Sequence, residues 1–216
     1  TNDIVLSAIL CTHHHHDHVD GICELAEVYN APAYGPQQES IPCLTNALQD
    51  GDKLKIAALD LSLSVLGIPG HTLGHIAYLH AGNLFCGDTL FGCGCGRLFE
   101  GTPAQMHGSL QRLAQLPEDT RVYCAHEYTE ANIRFALACE PGNPRLRQRE
   151  SEARALRAAG RPTLPSTIAL EKATNPFLRC SETEIIRRVE QQSGLKLPSN
   201  DEVAVFAALR KWRNTF

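Results

Sequence analysis

The chain has 216 residues, of which 43% are hydrophobic and 20% charged, and its formal net charge is −4 at pH 7. A chain of this length and composition can bury a large core and does not resemble a disordered segment. The small net charge gives no indication of nucleic-acid or membrane binding, and no apolar run reaches the length that a bilayer requires.

The cysteines say something about redox state. There are nine of them, and their spacing matches no disulfide framework. We therefore expect reduced thiols in a cytoplasmic enzyme. Cys93-Gly94-Cys95 lies among glycines, which predicts a tight loop rather than a soft-metal site.

The first predicted element is a buried strand over residues 4–10, an apolar run that contains one serine. It leads directly into Cys11-Thr12-His13-His14-His15-His16-Asp17-His18. Because a buried strand needs partners on both sides, its place near the first residue predicts that the chain lacks upstream strands. A helix is predicted over residues 19–29, where apolar residues recur at helical spacing.

Further elements follow in chain order. Strands are predicted over 59–65, 75–79, 84–86 and 121–125, with a turn at 81–83. Thr102 is a predicted N-cap, followed by Pro103 at the first helical position.

Beyond residue 129 the patterns are helical and predict no strand. The segment 145–159 is charged, and the arginines over 145–161 are interspersed with glutamates, which predicts a solvated face. The segments 181–184 and 199–202 match capping boxes. We therefore predict a mixed α/β domain over 1–128 and an all-helical domain over 129–216.

The chemistry is concentrated at strand ends. His71, Asp88 and His126 each follow a predicted strand and a short turn, as the histidine run does. Singly, each is more typical of an ordinary loop residue. Four such strand ends gathered on one edge of a sheet are where α/β folds build their sites.

The register within the histidine run divides its ligands into two groups. His13 and His15 face the same side of an extended segment, and His71 would complete a three-histidine site. Asp17 and His18 lie where the chain turns into a helix, and His126 would join them. Asp88 could lend one oxygen to each metal, and the open positions would hold a shared water or hydroxide. His14 and His16 point elsewhere, so we expect them to support the ligands or to pack. A purification tag would lie at a terminus and would lack the aspartate.

These residues resemble the signature of the metallo-β-lactamase superfamily. Within it, residues 85–91, 94–102, 124–129 and 175–179 resemble glyoxalase II, the hydroxyacylglutathione hydrolase family. The resemblance runs from about residue 4 to residue 216. It implies an αββα sandwich, here N-terminally truncated, followed by a helical domain that helps to bind glutathione.

The resemblance also implies the reaction and its cofactors. The expected reaction is hydrolysis of S-D-lactoylglutathione to D-lactate and glutathione by a metal-bridged hydroxide, the second step of methylglyoxal detoxification. Two divalent ions are implied, zinc before iron or manganese. Their implied ligands are His13, His15, His71, Asp17, His18, His126 and Asp88. Asp17 and Asp88 have the implied catalytic roles. A glutathione thioester is the expected small-molecule partner, and we expect a monomer.

The implied glutathione contacts lie outside the metal ligands. They are Arg97, Phe99, Tyr128, Arg210 and Arg213. Phe99 stands where some family members have tyrosine, so a hydroxyl contact is absent there. For Arg210 and Arg213 a solvated helix face is an equally good interpretation.

Two alternatives remain open from the sequence. A persulfide dioxygenase-like enzyme would use the same superfamily site with one iron. A catalytically dead metal-binding fragment would keep the fold without activity. A β-lactamase is less favoured because the tail is of the glutathione type.

Overall fold

The computed structural model describes residues 5–198 and 201–216. The strands are β1 (Ile9–Leu10), β2 (Ala33–Pro36), β3 (Asn46–Leu48), β4 (Lys53–Ile56), β5 (Leu61–Gly67), β6 (Ile76–His80), β7 (Asn83–Gly87), β8 (Leu90–Phe91), β9 (Gly94–Cys95), β10 (Arg121–Cys124) and β11 (Ser166–Thr167). The α-helices are α1 (His16–Val19), α2 (Ile22–Tyr29), α3 (Pro103–Ala114), α4 (Thr129–Cys139), α5 (Pro144–Ala158), α6 (Ile168–Thr174), α7 (Thr183–Ser193) and α8 (Glu202–Thr215).

Two sheets face each other. The larger has six strands in the order β11-β10-β7-β6-β5-β4, and the smaller has three in the order β1-β2-β3. In the larger sheet β4 to β7 pair antiparallel in succession, whereas β7 and β10 are parallel. The smaller sheet is parallel throughout. An apolar cluster lies between the sheets and includes Val65 and Tyr78 from the larger one and Leu48 from the smaller.

Helices cover the outer face of each sheet. Ile22 of α2 packs with Ala33 of the smaller sheet. On the far side, Leu84 of the larger sheet shares one continuous cluster with Met106 of α3 and Phe206 of α8. The layers are therefore helix, sheet, sheet and helix, and the C-terminal helices pack into the same core as the sheet.

The first predicted strand is largely wrong. β1 covers only Ile9–Leu10 and is half-buried, while Val5 is 82% exposed. Ile4, with which the prediction began, lies outside the described residues. Among the described strands β1 stands at the edge of its sheet and pairs with β2 alone. Residues 5–8 are not part of a strand, so the apolar run is longer than the strand that it contains.

Several other boundaries differ from prediction. The strands β2, β3 and β4 were not predicted, because they are short and carry weak patterns. Leu59 lies in a 3₁₀ turn rather than in β5. The predicted helix over 19–29 is interrupted, since α1 ends at Val19 and α2 begins at Ile22.

The prediction that no strand follows residue 129 is wrong, because β11 pairs antiparallel with β10. Two residues are too few to produce a periodic pattern. The expected domain division at residue 128 stays a prediction.

Helix starts show which capping signals are used. The Thr102 N-cap is confirmed. The Thr102 hydroxyl accepts a hydrogen bond from the Gln105 N–H, and the Thr102 N–H donates one to Gln105 Oε1. Such a cap contributes about 1 kcal/mol. The predicted box at 181–184 is wrong, because Glu184 instead accepts from the Gly142 N–H and α7 has no side-chain cap bond. For α8 the cap is Asp201; Ser199 and Asn200 lie outside the described residues.

The expectation of fully reduced thiols is wrong. Cys23 of α2 and Cys43 of the loop before β3 form a disulfide, with their Cα atoms 5.3 Å apart. Spacing could not indicate this, because the bridge depends on how the loop after β2 folds back onto α2. The other seven cysteines are free in the structure. Cys93 has a φ of 58°, so the predicted tight loop is confirmed as the turn between β8 and β9.

The expected solvated face of segment 145–159 is wrong at one position. Arg149 is 4% exposed and donates to Glu171 and Thr174. Sequence alone did not show that one arginine of this charged helix turns inward. Within residues 5–198 and 201–216, no helix is long and apolar enough to cross a membrane.

Candidate metal centre and substrate cleft

Four chain segments bring their polar ends together at one edge of the two sheets. The histidine run follows β1, His71 follows β5, Asp88 follows β7 and His126 follows β10. Three groups of side chains have ligand atoms within 4.8 Å of one another. They are His13 with His15 and His71, Asp17 with His18 and His126, and His13 with His18 and Asp88.

The backbone after β1 explains the division between these groups. His15 is extended, with φ −63° and ψ 145°, and serves as the N-cap of α1. His13 and His15 thus lie on an extended segment and approach His71. Asp17 and His18 lie in the first turn of α1, where they form the second ligand group with His126.

Asp88 lies between the two groups. Its Oδ1 is 3.3 Å from His18 Nε2, and its Oδ2 is 3.6 Å from His71 Nε2 and 3.7 Å from His126 Nε2. Asp17 Oδ2 is 3.2 Å from the same His126 nitrogen. One carboxylate therefore lies close to both ligand groups, with Oδ2 near a histidine of each and Oδ1 near His18.

The pKa shifts of His13, His71 and Asp88 favour the protonation states that bind metals, whereas the neighbouring Asp88 raises the pKa of His18. Burial lowers the pKa of His13, and the surrounding imidazoles lower it further. Burial also lowers the pKa of His71. For Asp88 burial alone would raise the pKa, but the neighbouring His18, His71 and His126 outweigh it and lower the pKa. Neutral imidazoles and an ionised carboxylate are the ligand forms that metal binding requires.

Unpaired buried atoms show that the residues fit a metal. His13 Nε2, His18 Nε2 and Asp88 Oδ1 are buried, and none has a well-aligned hydrogen-bond partner among the described residues. The His18 and Asp88 atoms lie 3.3 Å apart, close enough for an ion pair but without hydrogen-bond geometry. Such atoms are costly unless something binds them. Imidazole nitrogens with carboxylate oxygens suit zinc, iron or manganese. The cluster is a divalent metal site.

Other groups orient two of these histidines. The backbone oxygen of Arg97 accepts a bond from His71 Nδ1 at 2.9 Å, and Thr12 Oγ1 lies 3.0 Å from His13 Nδ1. Each contact leaves the Nε2 atom of its ring directed into the site. Partners of this kind fix the tautomer and the ring orientation.

Two residues near the site were missed from the sequence. His75 is 1% exposed, stacks on His13 with ring centroids 4.6 Å apart, and accepts from the Asp88 N–H. Burial lowers the pKa of His75 to about 3, so it is neutral. Glu39 contacts His14, Thr72 and Gly74. The spacing of His75 from His71 was a usable signal, whereas nothing local marks Glu39.

The two histidines left outside the ligand set behave differently. His14 Nδ1 is 2.9 Å from Glu39 and its Nε2 is 3.2 Å from Glu100, so it supports the site. The His16 side chain is 96% exposed and lies beside Asp20. The expectation of a supporting or packing role is therefore wrong for His16, because α1 turns it outward.

A cleft of about 660 Å³ opens over the metal ligands. All five residues expected to contact the substrate line it: Arg97, Phe99, Tyr128, Arg210 and Arg213. Phe99 is 63% exposed and lies edge-on to His15. Tyr128 stacks on His126 with ring centroids 5.3 Å apart.

The two arginines of α8 are not a solvated face. Arg210 is 6% exposed, and its Nη1 donates to the Cys95 backbone oxygen at 2.8 Å. Its Nε atom is buried and has no partner among the described residues. Arg213 is half-buried and reaches Asn132 at 3.4 Å. Burial, then the charges of Arg210, Arg97 and Arg134, lower the pKa of Arg213, as expected for a basic cluster.

Comparison with known proteins agrees with this geometry. Residues 3–126 match the family model described as the metallo-beta-lactamase superfamily, which defines the class of fold and site. Residues 127–216 match the model described as the hydroxyacylglutathione hydrolase C-terminus.

Curated relatives define the particular family. The chain is 56% identical to the hydroxyacylglutathione hydrolase of Nitrosomonas eutropha, over 97% of this chain and 81% of that protein. It is 56% identical to that of Pseudomonas aeruginosa strain PAO1, over 98% and 81%, and 49% identical to that of Vibrio campbellii, over 100% and 83%. The chain belongs to the hydroxyacylglutathione hydrolase family, as its resemblance implied, and is a hydrolase.

Solved structures support the fold. A crystal structure of ETHE1 from Myxococcus xanthus aligns with a TM-score of 0.63 and 28% identity, over 99% of this chain and 79% of that one. TTHA1623 in a di-iron-bound form aligns with a TM-score of 0.57 and 27% identity, over 82% and 80%. The predicted metallo-β-lactamase fold with C-terminal helices is confirmed.

Proposed function

We propose that the chain hydrolyses S-D-lactoylglutathione to D-lactate and glutathione, and that it uses two divalent ions, zinc by preference. The observation that carries the proposal is the position of two ligand groups at the base of a cleft whose wall holds Arg97, Arg210 and Arg213. A metal centre and an anion-binding wall in one cleft suit a negatively charged thioester.

We assign one ion to His13, His15 and His71, and the second to Asp17, His18 and His126. Asp88 would offer an oxygen to each ion, in keeping with its distances to His18, His71 and His126. When bound, such ions lower the pKa of water to near neutrality and stabilise negative charge on a carbonyl oxygen.

The chain's own residues would orient the reaction. Asp17, whose side chain is 60% exposed and faces the cleft, could accept a hydrogen bond from the attacking water. A thiolate is a fair leaving group, so the site needs no strong acid beside it. His75 is neutral and buried behind His13, where it holds that ring by stacking.

The glutathione part of the substrate would lie along the basic wall. Guanidinium groups form strong paired hydrogen bonds with carboxylates, and glutathione carries two carboxylates. Arg213 and Arg97 are the accessible cations, while the unpaired Nε of Arg210 offers a buried donor. Phe99 and Tyr128 would flank the thioester on either side of the metal ligands.

The proposal assigns the glutathione-binding part of the site to the helical segment 129–216, together with Arg97. It keeps the expectation of a monomer.

The test is hydrolysis of S-D-lactoylglutathione by metal-loaded protein, followed by loss of thioester absorbance. We expect turnover that disappears with a chelator and returns with zinc. The control substrate is a lactoyl thioester of a small neutral thiol, which should show a higher KM because it lacks the glutathione carboxylates. Equal KM values would contradict the assigned wall. Absence of metal-dependent turnover would contradict the function, and persulfide oxidation with oxygen uptake at one iron per chain would favour a persulfide dioxygenase.

A further inference from the structure

A buried carboxylate joins the two loops that carry the three-histidine group. Glu39 lies in the loop between β2 and β3, and its side chain is only 2% exposed. It does not belong to any of the ligand groups. A carboxylate buried in such a place requires several hydrogen-bond donors, and the structure shows where they come from.

The donors to Glu39 come from both sides of the metal centre. His14, which stands between the ligands His13 and His15, places its Nδ1 2.9 Å from Glu39 Oε2. Thr72 Oγ1 and the Gly74 N–H donate to Glu39 Oε1, the latter at 3.1 Å. Thr72 directly follows the ligand His71. One carboxylate thus ties together the backbone segments that present all three histidines.

The residues around Glu39 leave space for its side chain and bond to the same loop. A Cβ atom at Gly74 would lie 2.5 Å from Glu39 Cγ, so any side chain there would displace the carboxylate. On the other face of His14, Glu100 Oε1 is 3.2 Å from Nε2, and Glu100 Oε2 accepts from the Leu73 N–H at 2.9 Å. Both nitrogens of His14 therefore lie within 3.2 Å of carboxylates that also hold the 72–74 loop.

We propose that Glu39 is a positioning residue for the metal centre: through His14 and the 72–74 loop it sets the separation of His13 and His15 from His71. It contacts neither metal nor substrate. The inference rests on the metal site of the proposed function but not on the identity of the substrate. Ligands must be held in register to bind an ion tightly, and loss of a supporting partner typically costs 10–100-fold in metal affinity.

The primary test measures zinc affinity of the metal-free protein by competition with a chromophoric chelator, with no substrate present. Glu39→Gln keeps the shape but removes the charge, and we expect zinc affinity to fall by at least about tenfold. In the cobalt-loaded protein the d–d absorption should shift, since the ligand geometry changes. The matched control is Glu24→Gln on α2, an exposed glutamate, which should leave both readouts unchanged. Affinity within twofold of wild type and an unshifted cobalt spectrum in Glu39→Gln would overturn the proposal.

A second set of variants covers poor folding of Glu39→Gln. Gly74→Ala should displace Glu39 without removing its charge, and should weaken zinc binding similarly. Its control is Gly108→Ala on α3, where the new Cβ would meet no described atom within 4 Å. His14→Ala completes a double-mutant cycle with Glu39→Gln. If Glu39 acts through His14, the double variant should bind zinc no more weakly than the single variant with the lower zinc affinity. Fully multiplicative losses, or unchanged zinc binding in Gly74→Ala, would contradict the proposed route.

These outcomes are separable from the proposed function. Weak zinc binding in Glu39→Gln supports the positioning role even if wild type fails to cleave S-D-lactoylglutathione. Conversely, unchanged zinc binding in the variants rejects Glu39 while leaving wild-type hydrolysis intact.

Discussion

The Arg149 guanidinium donates to the Glu171 carboxylate over 2.5 Å, and neither side chain is more than 5% exposed. The other Glu171 oxygen accepts from the Cys93 N–H at 2.8 Å and from Asn175 at 3.0 Å. This pair therefore fastens α5 and α6 to the β8–β9 turn. The strand after that turn leads to Gly96 and Arg97 at the cleft.

Removal of one partner of this pair should strongly destabilise the fold. Glu171→Gln leaves the Arg149 charge buried without its counterion, and we expect the free energy of unfolding to fall by about 3–5 kcal/mol. Urea denaturation measures it. The control is Lys172→Ala, which breaks an exposed pair with Glu118 and should cost about 0–1 kcal/mol. Equal losses of unfolding free energy in the two variants would show that the buried pair contributes no more to stability than the exposed pair.

Gly96 should tolerate no side chain. A Cβ there would lie against the Asp88 backbone oxygen and 3.2 Å from His71 Nδ1. Gly96→Ala should therefore move a predicted bridging ligand and lower zinc affinity by at least about tenfold. Gly108→Ala, in an exposed helical position, should instead be neutral or stabilise by about 0.5–1 kcal/mol. Tight zinc binding by Gly96→Ala would contradict the geometry described around Asp88.

Arg213 gives a cleaner test of the basic wall than Arg210. Arg210 also holds the Cys95 backbone oxygen, so its removal disturbs the loop as well as the cleft. The substitution Arg213→Ala should remove a charge-assisted contact worth about 1.5 kcal/mol. It should therefore raise KM about tenfold and leave kcat unchanged. Steady-state kinetics measure both. Arg154→Ala on α5, away from the cleft, is the control. A fall in kcat at constant KM would assign Arg213 to the chemical step instead.

The cysteines should divide into two classes. Burial raises the pKa of Cys11 and of Cys124 to about 11, and burial raises the pKa of Cys93 to about 12. At pH 8 a thiol with a pKa of 11 is about 0.1% thiolate, so these groups should react slowly with a thiol reagent. Mild reduction should then release two fast-reacting thiols, Cys23 and Cys43, because Cys43 is exposed.

The same reduction should cost stability. A bridge across a sequence separation of 20 contributes about 3 kcal/mol by restricting the unfolded chain. The variant Cys23→Ser with Cys43→Ser is the control, since its unfolding should not respond to reductant. Two fast thiols in the untreated native protein would show that the bridge is absent.

The ligand residues could be proposed from the sequence because motif and register carry the information locally. His13, His15, Asp17 and His18 lie within one short segment, and His71, Asp88 and His126 each follow a recognisable strand. The capping box at Thr102 was predictable for the same reason. In each case the chemistry needs only near neighbours in the chain.

The parts that failed depend on contacts between distant segments. β1 has an apolar sequence but lies at a sheet edge among the described strands. Arg149 belongs to a charged helix, yet its side chain is buried and donates hydrogen bonds to Glu171 and Thr174. Glu39 supports the metal centre from a loop whose sequence shows no motif. Tertiary pairing decides these positions, and a single sequence does not contain that pairing explicitly.

The most direct measurement of the central claim is metal content per chain, determined by elemental analysis together with turnover of S-D-lactoylglutathione. We predict two ions in the wild-type protein, and at most one, with turnover lost, in Asp88→Ala. The control is Asp60→Ala, an exposed aspartate beyond the site, which should keep both ions and full turnover. Wild-type turnover retained by Asp88→Ala, or full activity of the wild-type chain with no more than one ion, would contradict a two-metal thioester hydrolase.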